Sequence, residues 1–498
     1  MKSLLTVPAN YFPQYDELYV ISDLHLGGTQ GFQIFDAGAE LQRLIEYLSA
    51  KDAAKNIALL INGDLVDFLA EKPALPFDPL GAIDKLNRIA HDPAFTMVWQ
   101  ALQQFVATLN RTLIINLGNH DLELALPWVK AHLLQMLAPD NDAAKGRITL
   151  AFEGTGYNCR VGNAQVLCVH GNEVDEWNIA DYETIRQLGR DIMQGRPVEN
   201  WIPNAGTQLV IQIMNGLKVQ YPFIDLLKPE AQAVLPTLLA LAPEQQDKLF
   251  AITATARRLL WDKLRITTGF LGREVTNQEI NITEPVSLPT YSSGFYYQAA
   301  GSMATKNNQQ YAAELLAETE KRLQANVRPV TLVDQDRRAQ NLGLPTALFK
   351  FIWGEDKSEV LREALEQLQE DRSFDLDQED ETFERLNTLV GDQVDYIIAG
   401  HTHLERVLPR RQKKGQYFNS GTWAKLIKLE KKLLQDQAKF REVFNAFKAG
   451  SMQALEPYVV RRFPVVAIIA DGPITTGKLR YLNPKPGEPI LVDSPQTK

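Results

Sequence analysis

Short apolar runs that end at Gly, Asn, Asp or His recur along the first third of this sequence, and they constrain the fold more than any other feature. Amphipathic stretches at residues 39–50 and 94–109 separate them. Apolar runs that alternate with helices predict βαβ units, whose parallel strands are buried on both faces. Polar residues just past such strands gather at the carboxyl edge of the sheet, where functional loops lie. The four runs are Leu18–Ser22, Ile57–Asn62, Leu113–Leu117 and Gln165–His170.

The pattern of the chain changes between residues 175 and 390, where longer helical stretches are punctuated by proline. Further on, a helix is predicted at Ala424–Lys448. The sequence therefore predicts an α/β core in two parts, residues 1–174 and 391–498, interrupted by a mostly helical insertion, residues 175–390. Connections of this length normally carry function or structure of their own, so we expect the insertion to cap the site. Strand-like runs return at Val394–Ala399, Gln416–Asn419, Val459–Ala470 and Lys478–Leu482.

Composition excludes several classes of protein. Among 498 residues, 45% are hydrophobic and 23% are charged, which is typical of a globular chain rather than a disordered one. The net charge of −9 argues against binding nucleic acid by bulk charge alone. Two cysteines imply no disulfide framework, and neither a leader nor a membrane-spanning run is evident. We therefore expect a soluble, cytoplasmic protein of undetermined oligomeric state.

Five of the seven histidines lie in loops that follow the apolar runs, beside Gly, Asn or Asp. Taken singly, each loop has an ordinary interpretation, such as a turn, a helix cap or a histidine with a structural hydrogen bond. All five loops together, each at a strand end, favour one shared site. The segments are Asp23-Leu24-His25, Gly63-Asp64-Leu65-Val66-Asp67, Gly118-Asn119-His120-Asp121, His170-Gly171-Asn172 and Gly400-His401-Thr402-His403.

These residue types predict a site for two metal ions. Carboxylate, imidazole and amide oxygen suit Mn²⁺, Fe or Zn²⁺, and no thiolate is offered. Residues i and i+2 of an extended segment point the same way, so Asp23 and His25 can reach one centre, as can His401 and His403. Asp64 can bridge two cations about 3.5–4 Å apart, which would activate a water for in-line attack on phosphorus.

The ordered motifs resemble those of the calcineurin-like metallophosphoesterase superfamily, over roughly residues 1–174 and 391–482. The resemblance implies a four-layer α/β/β/α sandwich with a dinuclear centre at its loop edge. The segment Ser22-Asp23-Leu24-His25-Leu26-Gly27 is similar to the branch that includes the bacterial UDP-2,3-diacylglucosamine pyrophosphatases. The implied activity is metal-dependent hydrolysis of a phosphodiester, pyrophosphate or phosphomonoester.

The resemblance also implies a role for each site residue. His120 matches the family's histidine that is not a ligand, contacts the phosphoryl group and protonates the leaving oxygen. Asp67 is a candidate to orient His120, and Asp121 is the rival candidate. The first ion would be held by Asp23, His25, Asp64 and His403, and the second by Asp64, Asn119, His170 and His401.

Substrate class is left open by the motifs. Phe68 and Leu122 stand where the related Ser/Thr phosphatases carry phosphate-binding arginines, which favours diesters and pyrophosphates over monoesters. A small nucleotide or a lipid-linked diphosphate is favoured over nucleic acid by the acidic net charge. A nuclease, and an inactive scaffold that binds a partner through the insertion, are the alternatives.

Three further segments could contact substrate or membrane. The stretch 424–448 could lie on an anionic membrane as a basic amphipathic helix, or pack on the core. The basic cluster could form a solvated hairpin tip or contact phosphate, and the aromatic group of the insertion could stack a base, line an acyl pocket or simply pack. The basic cluster is Arg410, Arg411, Lys413 and Lys414, and the aromatic group is Tyr291, Phe295, Tyr296 and Tyr297.

Overall fold

Two β-sheets stack face to face and form the centre of the computed structural model. It describes residues 11–175, 177–197, 203–228, 233–242, 244, 356–370, 374–411, 413–485 and 487–495. The aromatic group and residues 245–355 of the predicted insertion lie outside these residues. One sheet has seven strands and the other has six.

The strands have the following bounds. They are β1 Gln14–Tyr15, β2 Glu17–Ile21, β3 Ile57–Asn62, β4 Arg111–Asn116, β5 Ile148–Ala151, β6 Tyr157–Val161, β7 Ala164–Cys168, β8 Tyr396–Ala399, β9 Arg406–Pro409, β10 Gln416–Asn419, β11 Leu426–Ile427, β12 Val459–Val460, β13 Pro464–Asp471, β14 Ile474–Leu482 and β15 Leu491–Val492. The seven-stranded sheet has the order β15-β14-β13-β2-β3-β4-β5, and the six-stranded sheet has the order β1-β6-β7-β8-β10-β9. Strands β11 and β12 form a separate antiparallel pair.

Strands β2 to β5 run parallel, and every residue of β2 and β3 is buried. Alternate side chains of β2 enter two different cores, because successive residues of a strand face opposite sides. Leu18 and Val20 pack between the sheets, whereas Tyr19 and Ile21 pack against the outer helices. The strands thus read as unbroken apolar runs because both of their faces are covered.

Helices cover the outer face of each sheet. The helix Gly38–Ala50 buries Leu41, Leu44, Ile45 and Leu48, which is the spacing of one helical face. On the six-stranded sheet, Phe383 and Leu386 of the helix Glu381–Leu389 pack against that sheet's outer residues. The layers are therefore helix, sheet, sheet and helix, which confirms the predicted fold class. The other helices in the layer of Gly38–Ala50 are Ala82–His91, Thr96–Ala107, Pro127–Leu137 and the single turn Asp142–Lys145.

A second core joins the predicted insertion to residues 427–455. Helices of the insertion bury Leu209, Ile213 and Leu361 against Phe440 and Phe447 of the later segment. The phenylalanine rings therefore face inward, as in the core-packed alternative, and not outward toward a membrane. The other α-helices described between residues 175 and 455 are Tyr182–Met193, Ala205–Leu209, Asn215–Leu217, Leu235–Leu241, Lys357–Glu370, Lys431–Leu434, Gln437–Lys448 and Met452–Leu455, with a π-helical turn at Val210–Met214.

Two sequence predictions about the last segment are wrong in detail. The segment 424–448 is not one helix, because it contains β11 and two helices separated by Gln435 and Asp436. The Asp436 side chain caps the second helix by accepting the backbone N–H of Lys439. The run 459–470 is likewise split into β12 and β13 before Pro464, which has no N–H to continue a ladder.

The basic cluster is also structural for the most part. Arg410 is buried and donates to the backbone oxygens of Gly391 and Val394, while Lys413 donates to that of Val390. Arg411 pairs with Glu379 and Glu384. The cluster does lie at the tip of the β9–β10 hairpin, where Arg411 and Lys414 are exposed, but Arg410 is buried and Lys413 is partly buried. Contact with phosphate stays a prediction.

Candidate functional site

Five loops meet at the carboxyl ends of β2, β3, β4, β7 and β8. Each loop follows a buried strand directly, so the topology of the two sheets brings their polar residues to one edge. The side chains they contribute are buried or nearly so: Asp23 and His25 after β2, Asp64 and Asp67 after β3, Asn119 and His120 after β4, His170 after β7, and His401 and His403 after β8.

The candidate ligands of the first ion lie within contact distance of one another. His25 Nε2 is 3.0 Å from His403 Nε2, and His403 Nε2 is 3.3 Å from Asp23 Oδ1. Asp64 Oδ2 is 3.7 Å from His25 Nε2. Ligand atoms of Asp23, His25 and His403 all fall within 4.8 Å of each other, close enough to hold one cation.

Asp64 lies between this group and the next. Its Oδ2 is 3.2 Å from His170 Nε2, and Asp23, Asp64 and His170 form a second compact group. A third group contains His25, Asp64 and His120. Asp64 thus has the position that a bridging carboxylate needs.

The remaining two candidate ligands are His401 and Asn119. The His401 ring is 5.3 Å from the His170 ring, centroid to centroid, and its backbone N–H donates to Asp23. Asn119 Oδ1 is buried and accepts no hydrogen bond from the described residues. Neither belongs to the three compact groups of His, Asp and Glu, but His401 contacts His170 and Asp23 of the second group.

Backbone conformation sets the site apart from the rest of the described chain. Among all the residues that the structure describes, seven non-glycine residues have positive φ, and five of these seven are candidate ligands. Left-handed backbone is unfavourable for residues with a Cβ and persists where the surrounding structure enforces it. Hydrogen bonds from one loop to the next supply part of that constraint. For example, the backbone N–H of His25 donates to the backbone carbonyl oxygen of Asp64 at 2.9 Å. The five are Asp23, His25, Asp64, His401 and His403.

Two glycines allow the ligands to pack this closely. A Cβ at Gly63 would lie 2.5 Å from Cγ of His170, and one at Gly118 would lie 2.7 Å from Cγ of Asp64. Both are closer than a real side-chain carbon tolerates. The Gly-Asp and Gly-Asn-His motifs therefore need their glycines for the approach of a ligand from another loop.

Unpaired buried nitrogens test whether metal ions fit this site. His25 Nδ1, His170 Nε2 and His403 Nδ1 are buried and form no hydrogen bond with the described residues, although Asp64 Oδ2 approaches His170 Nε2 to 3.2 Å. Buried polar atoms normally find partners, so orphaned ones point to something that binds them. His170 Nδ1 contacts the Asn62 carbonyl oxygen at 2.7 Å, which fixes this nitrogen as the donor and leaves Nε2 as the ligand atom. The donor set therefore fits divalent ions.

Charges inside the cluster depend strongly on one another. Burial disfavours the ionised Asp64 carboxylate, but His170 and His120 outweigh burial and hold its pKa well below the usual value. Burial would likewise lower the pKa of His170, yet the Asp64 charge raises it to about 10. A bound cation would favour the ionised Asp64 and the neutral His170 that metal ligation requires.

The contacts distinguish Asp67 from Asp121 as the partner of His120. His120 Nδ1 is 3.2 Å from Asp67 Oδ1, and this contact outweighs burial in lowering the pKa of Asp67. Asp121 instead accepts the backbone N–H groups of Leu65 and Gly118, at 2.8 and 2.7 Å. Asp67 faces the His120 ring, whereas Asp121 holds two of the ligand loops together.

Sequence analysis missed Asp175 as part of the site. Its Oδ2 is 2.6 Å from His401 Nε2 and also accepts from Asn178 Nδ2 at 2.7 Å. A carboxylate on one ring nitrogen turns the other nitrogen toward a metal. The only sequence signal was its place in the loop after His170.

Part of the predicted insertion lines the pocket above these histidines. Met214, Asn215, Lys218 and Lys228 border the same cavity as His25, Asp67, His120 and His403. Asn215 Nδ2 also donates to the Leu69 carbonyl oxygen at 2.9 Å, in the loop that carries Asp67. The insertion is therefore in contact with the site.

Comparison with known families agrees with this geometry. Residues 17–221 match the family model of the calcineurin-like phosphoesterases. The match covers four of the five loops, and the loop with His401 and His403 lies beyond it. No curated protein matches the chain. The superfamily resemblance is thus confirmed over residues 17–221, while the resemblance to the UDP-2,3-diacylglucosamine pyrophosphatases stays a prediction.

No helix in the part of the chain that the structure describes is long and apolar enough to cross a bilayer.

Proposed function

We propose that this protein is a hydrolase of phosphoric esters or anhydrides that works with two divalent metal ions. One observation carries the proposal: candidate ligands from five strand ends converge on Asp64, and five of them keep an unfavourable backbone conformation to do so. Such strain is expected where function requires it. The family match over residues 17–221 supports the same class of activity.

The ions would be held by the residues that the sequence motifs single out. Asp23, His25, Asp64 and His403 would bind one, and Asp64, Asn119, His170 and His401 the other. When bound, the ions would activate a water molecule and neutralise charge on the phosphoryl oxygens. Mn²⁺ is the first metal to test, followed by Fe and Zn²⁺, because the donors are nitrogen and oxygen without thiolate.

His120 has the position of a proton donor to the leaving group. Its Nδ1 faces Asp67, so Nε2 is the nitrogen from which a proton would be delivered. The ring edge is partly exposed, at 15% of its side-chain area, whereas His170 is fully buried. A histidine held by a carboxylate on one side can deliver a proton on the other. His120 would thus act on substrate and Asp67 would orient it.

The bond cleaved is a phosphodiester, pyrophosphate or phosphomonoester, in a small nucleotide or a lipid-linked phosphate. The insertion, residues 175–390, would act as the cap that selects among these, since its lysines border the pocket. We place the protein in the cytoplasm, because Cys159 and Cys168 lie on the neighbouring strands β6 and β7 as free thiols.

The test combines metal analysis with turnover. Protein incubated with Mn²⁺ should retain about two ions per chain and hydrolyse one of a panel of nucleotide, sugar-nucleotide, lipid and oligonucleotide phosphates. His403→Ala should lose metal and activity. His120→Ala should keep its metal while turnover falls by roughly 10²–10⁴-fold.

The exposed His91, whose Nδ1 contacts its own helix backbone, provides the control. His91→Ala should match the wild type in metal content and rate. A protein that binds no Mn²⁺, Fe or Zn²⁺ and turns over none of the panel would contradict the proposal. So would a His120→Ala variant with the wild-type rate over a range of pH.

A further inference from the structure

A short segment at the start of the predicted insertion, residues 175–178, lies between the candidate metal site and the second core. The Trp177 side chain packs against the second core, and the Trp177 carbonyl oxygen accepts the backbone N–H of Gly206 at 2.9 Å. Asp175 and Asn178 contact candidate ligands instead. The segment therefore links the packing of the insertion to the candidate ligands.

The side-chain amide of Asn178 has a defined orientation. Its Nδ2 donates to Asp175 Oδ2 at 2.7 Å, and a carboxylate can only accept hydrogen bonds. Its Oδ1 is therefore turned the other way, where it accepts Asn119 Nδ2 at 3.4 Å. Asn119 thus points its Nδ2 at the insertion and keeps its Oδ1, which accepts no hydrogen bond from the described residues, for a metal ion.

The same segment reaches the two other loops of the second ion. Asp175 Oδ2 accepts His401 Nε2 at 2.6 Å, which leaves Nδ1 of that ring as the ligand atom. Asn172, in the loop that follows His170, donates from its Nδ2 to the Asn178 carbonyl oxygen at 3.2 Å. All three loops that hold the second ion together with Asp64 are therefore in contact with residues 175–178.

The first ion has no such support from the insertion. Within the ranges that the structure describes, no hydrogen bond joins residues 175–178 to the side chain of Asp23, His25 or His403. The side chains of these three contact one another or the aspartates of the second loop. A change at Asn178 should therefore affect one metal position and not the other.

Gly206 leaves the space that the Asn178 amide occupies. A Cβ at Gly206 would lie 2.9 Å from Asn178 Cγ and closer still to its Oδ1. Gly206 belongs to the helix Ala205–Leu209, whose first and last residues are buried in the second core. The packing of the insertion therefore decides how much room the amide has.

We propose that Asn178 is a positioning residue for the second metal ion, so that the insertion controls how tightly this ion is held. The inference rests on the proposed function, because it needs two metal positions. Asn178 would not touch the ion. It would orient the amide of Asn119 and, through Asp175, the ring of His401.

The experiment is a Mn²⁺ titration of the full-length chain, followed by the EPR signal that two neighbouring Mn²⁺ ions give when they are coupled. The wild type should bind about two ions per chain. Asn178→Ala should bind one ion as tightly as the wild type and the other about 10–100-fold more weakly, because it lacks an outer-shell partner. Asn445→Ala, which shortens an exposed asparagine of the helix Gln437–Lys448, should match the wild type.

Gly206→Ala provides a second variant, because it displaces the Asn178 amide without removing it. The clash is with the end of a side chain, so the urea midpoint should stay close to that of the wild type while the second ion is weakened. Gly216→Ala is the control, since no atom lies within 4 Å of the position that its Cβ would take. A merely structural role would instead weaken both ions together.

Combining Asn178→Ala with His403→Ala identifies the position affected. If Asn178 serves the second ion, each single variant keeps one tightly bound ion and the double variant keeps none. A double variant that still holds one ion would overturn the inference. So would the absence of selective weakening of one ion in both Asn178→Ala and Gly206→Ala.

The wild type separates this inference from the proposed function. A wild type that holds two ions but hydrolyses none of the panel would refute the proposed function, and the titration of the variants would still decide the role of Asn178. A wild type that holds fewer than two ions would overturn both.

Discussion

Replacing Gly63 by alanine should displace His170 and weaken metal binding. Gly63 has φ +88°, and an added Cβ would lie 2.5 Å from His170 Cγ and 2.9 Å from Cε1. The ring cannot simply move away, because its Nδ1 contacts the Asn62 carbonyl oxygen at 2.7 Å and its side chain is fully buried. The new methyl group therefore competes for space with a candidate ligand.

The expected loss of unfolding free energy in Gly63→Ala has two parts. A side chain in left-handed backbone costs about 1–2 kcal/mol relative to glycine. Overpacking a closely packed site adds about 1–3 kcal/mol. Gly31 separates the two parts, because its φ is +87° and no atom lies within 4 Å of the position that its Cβ would take. Gly31→Ala should therefore carry only the backbone cost.

Two assays are needed. Urea unfolding of the metal-free protein gives the stability, and a separate folded sample incubated with Mn²⁺ gives the metal retained after gel filtration. We expect Gly63→Ala to unfold at lower urea than Gly31→Ala and to retain less Mn²⁺. Gly31→Ala should keep the wild-type metal content. Equal urea midpoints and equal Mn²⁺ contents in the two variants would refute the steric argument.

Two further predictions concern groups around the site. Asp175→Asn removes the negative charge beside His401 Nε2, so Mn²⁺ affinity in competition with a chelator should fall by about 10–100-fold; unchanged affinity would show that Asp175 does not orient this ligand. Burial raises the pKa of Glu123 to about 7 from 4.5. The pKa of Glu123 is higher in the folded protein than in the unfolded one. Protonated Glu123 therefore contributes about 3 kcal/mol of stability that is complete below pH 4.5 and is lost as pH rises through 7. Glu123→Gln should therefore match the wild type in unfolding free energy near pH 4.5 and exceed it at pH 8, and a pH-independent difference would contradict this.

The strands of the core were predictable because their environment is simple. Strands buried on both faces leave unbroken apolar runs, and the bounds of β3 and β10 agree with the prediction residue for residue. The candidate ligands were predictable for a related reason. They follow those strands directly, so a correct strand assignment also brings their loops to one edge.

Other features depend on contacts between distant segments. The segment 424–448 has helical periodicity, but residues 426–427 pair with β12 and with Leu227 instead. The choice between Asp67 and Asp121 as the partner of His120 depends on which carboxylate is engaged by backbone N–H groups. The pairing of Asp175 with His401 joins residues 226 positions apart, and no local pattern announces it.

The strand order has a consequence for how the protein is made. Strand β13, near the carboxyl terminus, lies between β14 and β2, and β8 lies beside β7. During synthesis, the amino-terminal strands leave the ribosome hundreds of residues before these neighbours exist, with the edges of β2 and β7 uncovered. Exposed edges invite pairing with other chains. The nascent polypeptide should therefore depend on chaperones until its final strands emerge, and only then can the histidines after β8 join those after β2 and β7.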